Sequence, residues 1–141
     1  MSEIPDIPGA QDVVDWFGYW PSFHDAEVLS ISFDRLSGCR ASIHAFETTS
    51  ELDRAGHYVV TKHVVIVFFM EGFTSDSEGV SNTRIESFNH QNVLRGASII
   101  RRPEGYELSL QGCYGVDGSI LCERMSVAIE PGVPTGSVYR K

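Results

Sequence analysis

The residues best able to do chemistry lie in one short segment, Trp20 to Glu27, with the sequence WPSFHDAE. His24, Asp25 and Glu27 supply an imidazole and two carboxylates, which are the groups that proteins use for acid–base catalysis and for metal ligation. The same segment contains a tryptophan and a phenylalanine, and rings of this size usually become buried. The three polar residues therefore either fix the chain between a helix and a strand or form part of a functional surface.

Both interpretations of this segment remain open at the level of sequence. In the structural one, Asp25 accepts backbone N–H bonds and His24 donates to a carbonyl beside the aromatic rings. In the functional one, Glu27 shares a face with Asp25 and extends an acidic patch. An enzyme or a small ligand- or metal-binding domain built on these residues would need a partner from another strand, for which His44 and His90 are the candidates.

The remaining sequence offers little for catalysis. It contains no G-x-S-x-G, H-E-x-x-H, P-loop or G-x-G-x-x-G motif. Cys39, Cys113 and Cys122 form no C-x-x-C pair, and each lies in a strand-like run, which predicts small buried hydrophobic side chains. We expect no catalytic residues, no metal and no cofactor.

Negative charge is concentrated in the first part of the chain. The 141 residues carry a formal charge of −8. Residues 1–56 contain ten acidic and three basic residues, and residues 57–141 contain nine and eight. An acidic surface repels phosphate backbones and attracts basic proteins, so a protein partner is favoured over nucleic acid. Solubility is the simpler explanation of the same charge.

Hydrophobic periodicity predicts one helix followed by strands. Residues 9–18 have helical spacing between two glycines, and alternation with a period of two begins at Val28. The run from Val64 to Phe69 is apolar on both faces, which indicates a strand covered on both sides. A polar stretch, residues 47–56, is expected to link two strands. The predicted fold is α+β and mainly β, with about six to eight antiparallel strands and one N-terminal helix.

We expect a single domain over residues 1–141, with irregular tails at 1–8 and 131–141. The longest strongly apolar run is seven residues, too short to cross a membrane, and the acidic N-terminus does not resemble a signal peptide. Cytoplasmic residence is therefore expected.

Three segments together resemble a known family. They are WPSFHDAEV at residues 20–28, FNHQNV at 88–93 and GCYG at 112–115. Over roughly residues 17–129 the chain resembles immunity protein family 50 of bacterial polymorphic toxin systems. The resemblance implies a small cytoplasmic protein that binds and neutralises a cognate toxin without performing chemistry.

The resemblance itself assigns no contact residues. Charge suggests Asp12, Asp15, Asp25 and Glu27 as toxin-binding side chains for a basic, nuclease-like toxin. Exposed rings among Tyr19, Tyr58 and Tyr139 would add anchors. A homodimer formed through a sheet edge is a further alternative.

Overall fold

The computed structural model describes residues 4–73 and 83–137. Its elements are α1 (Ala10–Phe17), β1 (Glu27–Asp34), β2 (Gly38–Leu52), β3 (Tyr58–Phe73), β4 (Thr83–Glu86), β5 (Val93–Arg102), β6 (Gly105–Tyr114) and β7 (Asp117–Pro131). The described part is thus one short helix and seven strands, all paired antiparallel. The predicted fold class is confirmed.

Glycines delimit α1 at both ends, as predicted. Gly9 and Gly18 have φ angles of 90° and 89°, a left-handed conformation that glycine adopts without a steric penalty. The N–H of Gly18 donates to the carbonyl of Val14 at 2.6 Å and closes the last turn. The helix buries Val13 and Phe17 and leaves its acidic side exposed. It packs mainly against β7.

The strands form one sheet that curls back on itself. The order is β3-β2-β1-β5-β6-β7-β4, and β3 also pairs with β7 over residues 64–73 and 122–131. This pairing closes a ring of six strands, in which the contact between β1 and β5 is limited to Glu27 opposite Val93. The interior is filled by alternate side chains such as Ile43, Ile66 and Leu108, all fully buried. Ring closure covers the sheet's inner face without a second layer.

One expected linker belongs to a strand. Residues 47–56 read as a polar connection, but β2 continues to Leu52. Glu47 pairs with Thr61 and Thr48 with Val60, after a register shift that follows Ala45. Lys62 on the facing strand has a φ of 57°, so both strands adjust at this irregularity. The predicted polar loop therefore reduces to the turn after Leu52. The composition of residues 72–79 also predicts a loop, but most of these residues lie outside the described part of the chain.

Candidate functional site

The WPSFHDAE segment is a tightly folded connection and is not extended. Phe23 and Asp25 have φ angles of 64° and 65°, which are unusual for residues other than glycine. Packing holds this backbone, since the ring of Phe23 lies 6.0 Å from those of Trp20 and Phe68. All three rings are almost completely buried. Strain of about 1–3 kcal/mol per residue is compatible only with such strong local constraint.

This backbone presents His24 and Asp25 to solvent. Their side chains are 67% and 48% exposed, and His24 Nδ1 lies 3.2 Å from Asp25 Oδ2. On extended backbone, adjacent side chains would point in different directions, but these two lie together because the backbone of this segment is not extended. The proposed packing of His24 against the rings is wrong. His24 and Asp25 are an exposed pair on a rigid turn.

Glu27 does not share that surface. Only 4% of this residue is exposed, and its carboxylate lies 2.7 Å from Nδ1 of the fully buried His44. The two residues are paired across β1 and β2. The expectation of an acidic patch containing both Asp25 and Glu27 is therefore corrected. The three residues His24, Asp25 and Glu27 do not converge on one site.

Two further side chains complete a buried polar cluster around Glu27. Ser137 donates its hydroxyl proton to Glu27 Oε1 at 2.5 Å. On the other side, Nε2 of His44 lies 2.9 Å from Nδ1 of His63, and the two imidazoles stack with their planes 21° apart. In the tautomer in which His44 carries its proton on Nδ1 and donates to Glu27, Nε2 accepts from His63 Nδ1–H. We call Glu27, His44, His63 and Ser137 the Glu–His–His–Ser cluster.

Burial and charge act on His63 within this cluster. Desolvation lowers the pKa of His63 below 6.5, the neighbouring His44 lowers it further, and Glu27 acts in the opposite direction. A neutral His63 is consistent with its place as a hydrogen-bond donor to Nε2 of His44. The Glu27 carboxylate accepts hydrogen bonds from β2 and from the C-terminal segment.

The geometry of the cluster differs from that of a nucleophilic triad. In such a triad the imidazole lies between the hydroxyl and the carboxylate and uses one nitrogen for each. Here Ser137 and Glu27 both approach Nδ1 of His44, at 3.3 and 2.7 Å, and the hydroxyl proton is directed to the carboxylate. Within residues 4–73 and 83–137, no group of three His, Cys, Asp or Glu side chains is arranged to hold a metal ion. The cluster is suited to fixing the C-terminal segment against β1 and β2.

Sequence reasoning named two members of the cluster and missed the other two. His44 was considered only as a partner of His24, and His63 and Ser137 were assigned no role. The sequence did contain one signal for this cluster. The central part of β3 is apolar on both faces, which implied that another part of the chain covers its outer side. The segment after β7 reaches this cluster, since the Gly132 N–H extends the pairing of β7 with β3 to the carbonyl of His63 and Ser137 then bonds Glu27.

The three motifs that carry the family resemblance meet in space. Asn92 is buried; its Nδ2 donates to the carbonyl of Val28, and its Oδ1 accepts from the N–H groups of Asn89 and Val116. A Cβ at Gly115 would overlap the side chains of Asn89 and Asn92. The composition of the NHQN segment predicts a turn closed by its own asparagines, and this prediction is confirmed, because Asn89 Oδ1 accepts from the N–H groups of Gln91 and Asn92. These motif residues hold β1, β5 and β6 together.

The other candidate contact residues lie at the surface. Asp12 and Asp15 are on the exposed side of α1, where Gln11 donates to Asp15 at 2.8 Å. Tyr19 is 44% exposed and its hydroxyl donates to Glu47. Tyr58 is also exposed, and Tyr139 lies outside the described residues.

The cysteines divide into two groups. Cys39 and Cys122 are buried, and burial raises the pKa of their thiols to about 12 and about 11. Cys113 is exposed on β6, so the expectation that all three are core residues is wrong for this one. Its strand position alone did not reveal which face it occupies.

Comparisons with protein-family models, with curated proteins and with solved structures yield no significant match to this chain. No helix among the described residues is long and apolar enough to cross a membrane.

Proposed function

We propose that this chain is an immunity protein of the cytoplasm that binds a cognate toxin through acidic side chains displayed around α1. The observation that carries the proposal is the placement of Asp12 and Asp15: both are exposed on a helix whose opposite side is buried against the sheet. Carboxylates on a fixed support need little reorganisation on binding, which favours tight association.

Asp25 adds to this surface from the adjacent turn. Tyr19, which follows α1, lines a small cavity together with His24 and Phe46. The end of the helix and the His24–Asp25 turn are therefore neighbours. We define the acidic face as Asp12, Asp15 and Asp25, with Tyr19 as its exposed ring. Glu27 is excluded because it is buried.

The hydrogen bonds within the Glu–His–His–Ser cluster support a binding role for the protein, because they engage its side chains in holding the fold. Its histidines and its serine are engaged with Glu27 and with one another, and they anchor the C-terminal segment. A basic toxin, such as a nuclease with a cationic cleft, would complement the acidic face and associate at a rate that falls with ionic strength.

A matched pair of triple variants tests the proposal. Asp12→Asn, Asp15→Asn and Asp25→Asn together remove the acidic face, whereas Glu86→Gln, Glu104→Gln and Glu130→Gln change the net charge equally at exposed positions elsewhere. The probe is the toxin domain encoded beside the gene for this chain, and the measurement is its association rate and Kd at several salt concentrations.

We expect the acidic-face variant to weaken binding by about tenfold or more and to flatten the salt dependence. The control triple variant should change the affinity and its salt dependence by much less. Equal effects from the two variants would show that net charge alone matters, and unchanged affinity in both would rule out the acidic face. Matching urea midpoints establish that each variant is folded.

A further inference from the structure

The ring of strands is open along one side of β5. Residues 20–26 follow the first part of this strand, where Asp25 N–H bonds the carbonyl of Leu94 and Ala97 N–H bonds that of Ser22. β1 itself pairs with β5 only at Glu27 opposite Val93. Beyond Ala97, the described residues provide no neighbouring strand on this side.

The free edge carries backbone groups that can pair with another strand. Alternate residues of an antiparallel strand direct their N–H and C=O groups to the same side. Because Ala97 N–H points away from β6, the backbone groups of Ile99 and Arg101 point the same way. Neither forms a backbone hydrogen bond on that side with any part of the chain that the structure describes.

A cleft of about 750 Å³ runs beside this edge. Trp20, Pro21 and Ile99 provide apolar walls, and Ser98 and Gln111 provide polar groups. Residues 4–6 form its far side, held by the Tyr106 hydroxyl, which donates to the carbonyl of Asp6 at 2.9 Å. The cleft is therefore preformed, and its volume suits a short peptide segment.

Among the residues that the structure describes, two guanidinium groups and one carboxylate, that of Asp6, line the cleft. Arg95 is exposed and has no hydrogen bond or close ion pair within the described residues. Its charge acts only at longer range, where it helps to lower the pKa of Asp117. Arg101 donates to the carbonyl of Gly105 and lies 4.5 Å from the ring centroid of Tyr106. Neither guanidinium is neutralised by a contacting carboxylate. Six residues along a strand separate them by roughly 20 Å.

We propose that this edge binds an extended acidic peptide, which adds a strand beside Ile99 and Arg101. The peptide then follows the cleft past Ser22, so that its carboxylates lie near Arg95 and Arg101. Backbone hydrogen bonds supply the attachment and the guanidinium groups select for negative charge. This site uses none of the carboxylates of the acidic face, although its cleft shares Pro21 and Ser22 with the cavity beside Tyr19 and His24. It does not depend on the toxin proposal.

The experiment uses the whole chain and a seven-residue peptide, Glu-Val-Thr-Val-Thr-Val-Glu, with a counterpart that carries glutamine at both ends. Amide hydrogen exchange and chemical shifts are followed by NMR at millimolar peptide. The acidic peptide should protect the amides of Ile99 and Arg101. It should leave unchanged the amides of Ser98 and Ile100, which face β6.

Variants test the charge requirement. Arg95→Gln and Arg101→Gln should each raise the Kd of the acidic peptide by about threefold, the effect expected of one exposed ion pair. Arg102→Gln is the matched control, because Arg102 already pairs with Glu107 at 2.6 Å and does not line the cleft. Higher salt should reduce the preference for the acidic peptide.

Several results would overturn the proposal. Equal affinity for the acidic and the glutamine peptide would contradict the selection for negative charge. Absence of protection at the amides of Ile99 and Arg101 would contradict the addition of a strand. Protection that grows with protein concentration without peptide would identify a second copy of this chain as the occupant.

Discussion

At the scale of single residues, Glu27 and Asp25 show how strongly burial determines the role of a carboxylate. The two lie two positions apart, yet Asp25 pairs with His24 in solvent and Glu27 accepts two hydrogen bonds inside the molecule. An exposed ion pair contributes little to stability, whereas an unsatisfied buried donor costs about 1–3 kcal/mol. Asp25 thus faces solvent, and Glu27 serves the fold.

His63 gives the cluster a pH dependence with a definite sign. Burial lowers the pKa of His63 below 6.5 in the folded protein, so the unfolded chain binds this proton more readily. The free energy of unfolding should therefore decrease as pH falls below 6.5, until the folded-state pKa has been passed. Above 6.5 His63 is neutral in both states and contributes no slope.

Urea unfolding at a series of pH values measures this effect. His63→Gln should reduce the loss of stability on acidification, whereas His57→Gln, at an exposed position, should not. An identical pH profile for the wild type and His63→Gln would contradict the assigned burial.

At the scale of elements, α1 depends on two glycines for different reasons. Both have positive φ, but a Cβ at Gly9 would overlap the carbonyl oxygen of Val127, whereas a Cβ at Gly18 would meet nothing within 4 Å. Pro8 accepts a hydrogen bond from Val127 N–H at 2.9 Å, so the chain before α1 lies directly against β7. Gly9 therefore allows α1 to lie close against β7, whereas Gly18 only allows the left-handed residue that ends the helix.

Replacing each glycine by alanine separates these roles. Gly18→Ala should lower the free energy of unfolding by about 1–2 kcal/mol, the cost of a left-handed residue with a side chain. Gly9→Ala should cost clearly more, about 3 kcal/mol or above, because backbone overlap is added to the same strain. Urea denaturation measures both, and equal losses would show that α1 does not need close contact with β7.

At the scale of the whole molecule, Asn92 connects β1 and β5, the neighbouring strands of the ring that share the fewest paired residues. Asn92 bonds Val28 on β1, and it receives hydrogen bonds from the turns before β5 and after β6. Its φ of 46° suits asparagine better than most residues. Since β1 and β5 share one paired position, this side chain contributes strongly to ring closure.

Asn92→Gly preserves the backbone freedom and removes these bonds. The free energy of unfolding should fall by about 2–4 kcal/mol, because several buried groups lose their partner. The amide of Val116 should exchange faster with solvent. Gln91→Ala, at the exposed neighbouring position, should change stability by less than about 0.5 kcal/mol. Unaltered exchange at Val116 in Asn92→Gly would contradict this role.

Local patterns in the sequence located most of the helix and strands of this protein. Flanking glycines and helical spacing located α1, alternation located most of the strands, and the asparagines of the NHQN segment indicated their turn, because each of these features depends on neighbouring residues. The sequence also located the excess of acidic residues in the first part of the chain, with Asp12 and Asp15 on the polar side of a helix.

The meeting of Glu27, His44, His63 and Ser137 depends on contacts between residues far apart in the chain. Their burial depends on the pairing of β1 with β2 and β3 and on the C-terminal segment that covers the outer face of these strands. Alternation along a strand separates its side chains into two faces. Which face becomes buried depends on residues that are distant in sequence. For the same reason the free edge of β5 could not be predicted, since ring closure determines which edges remain unpaired.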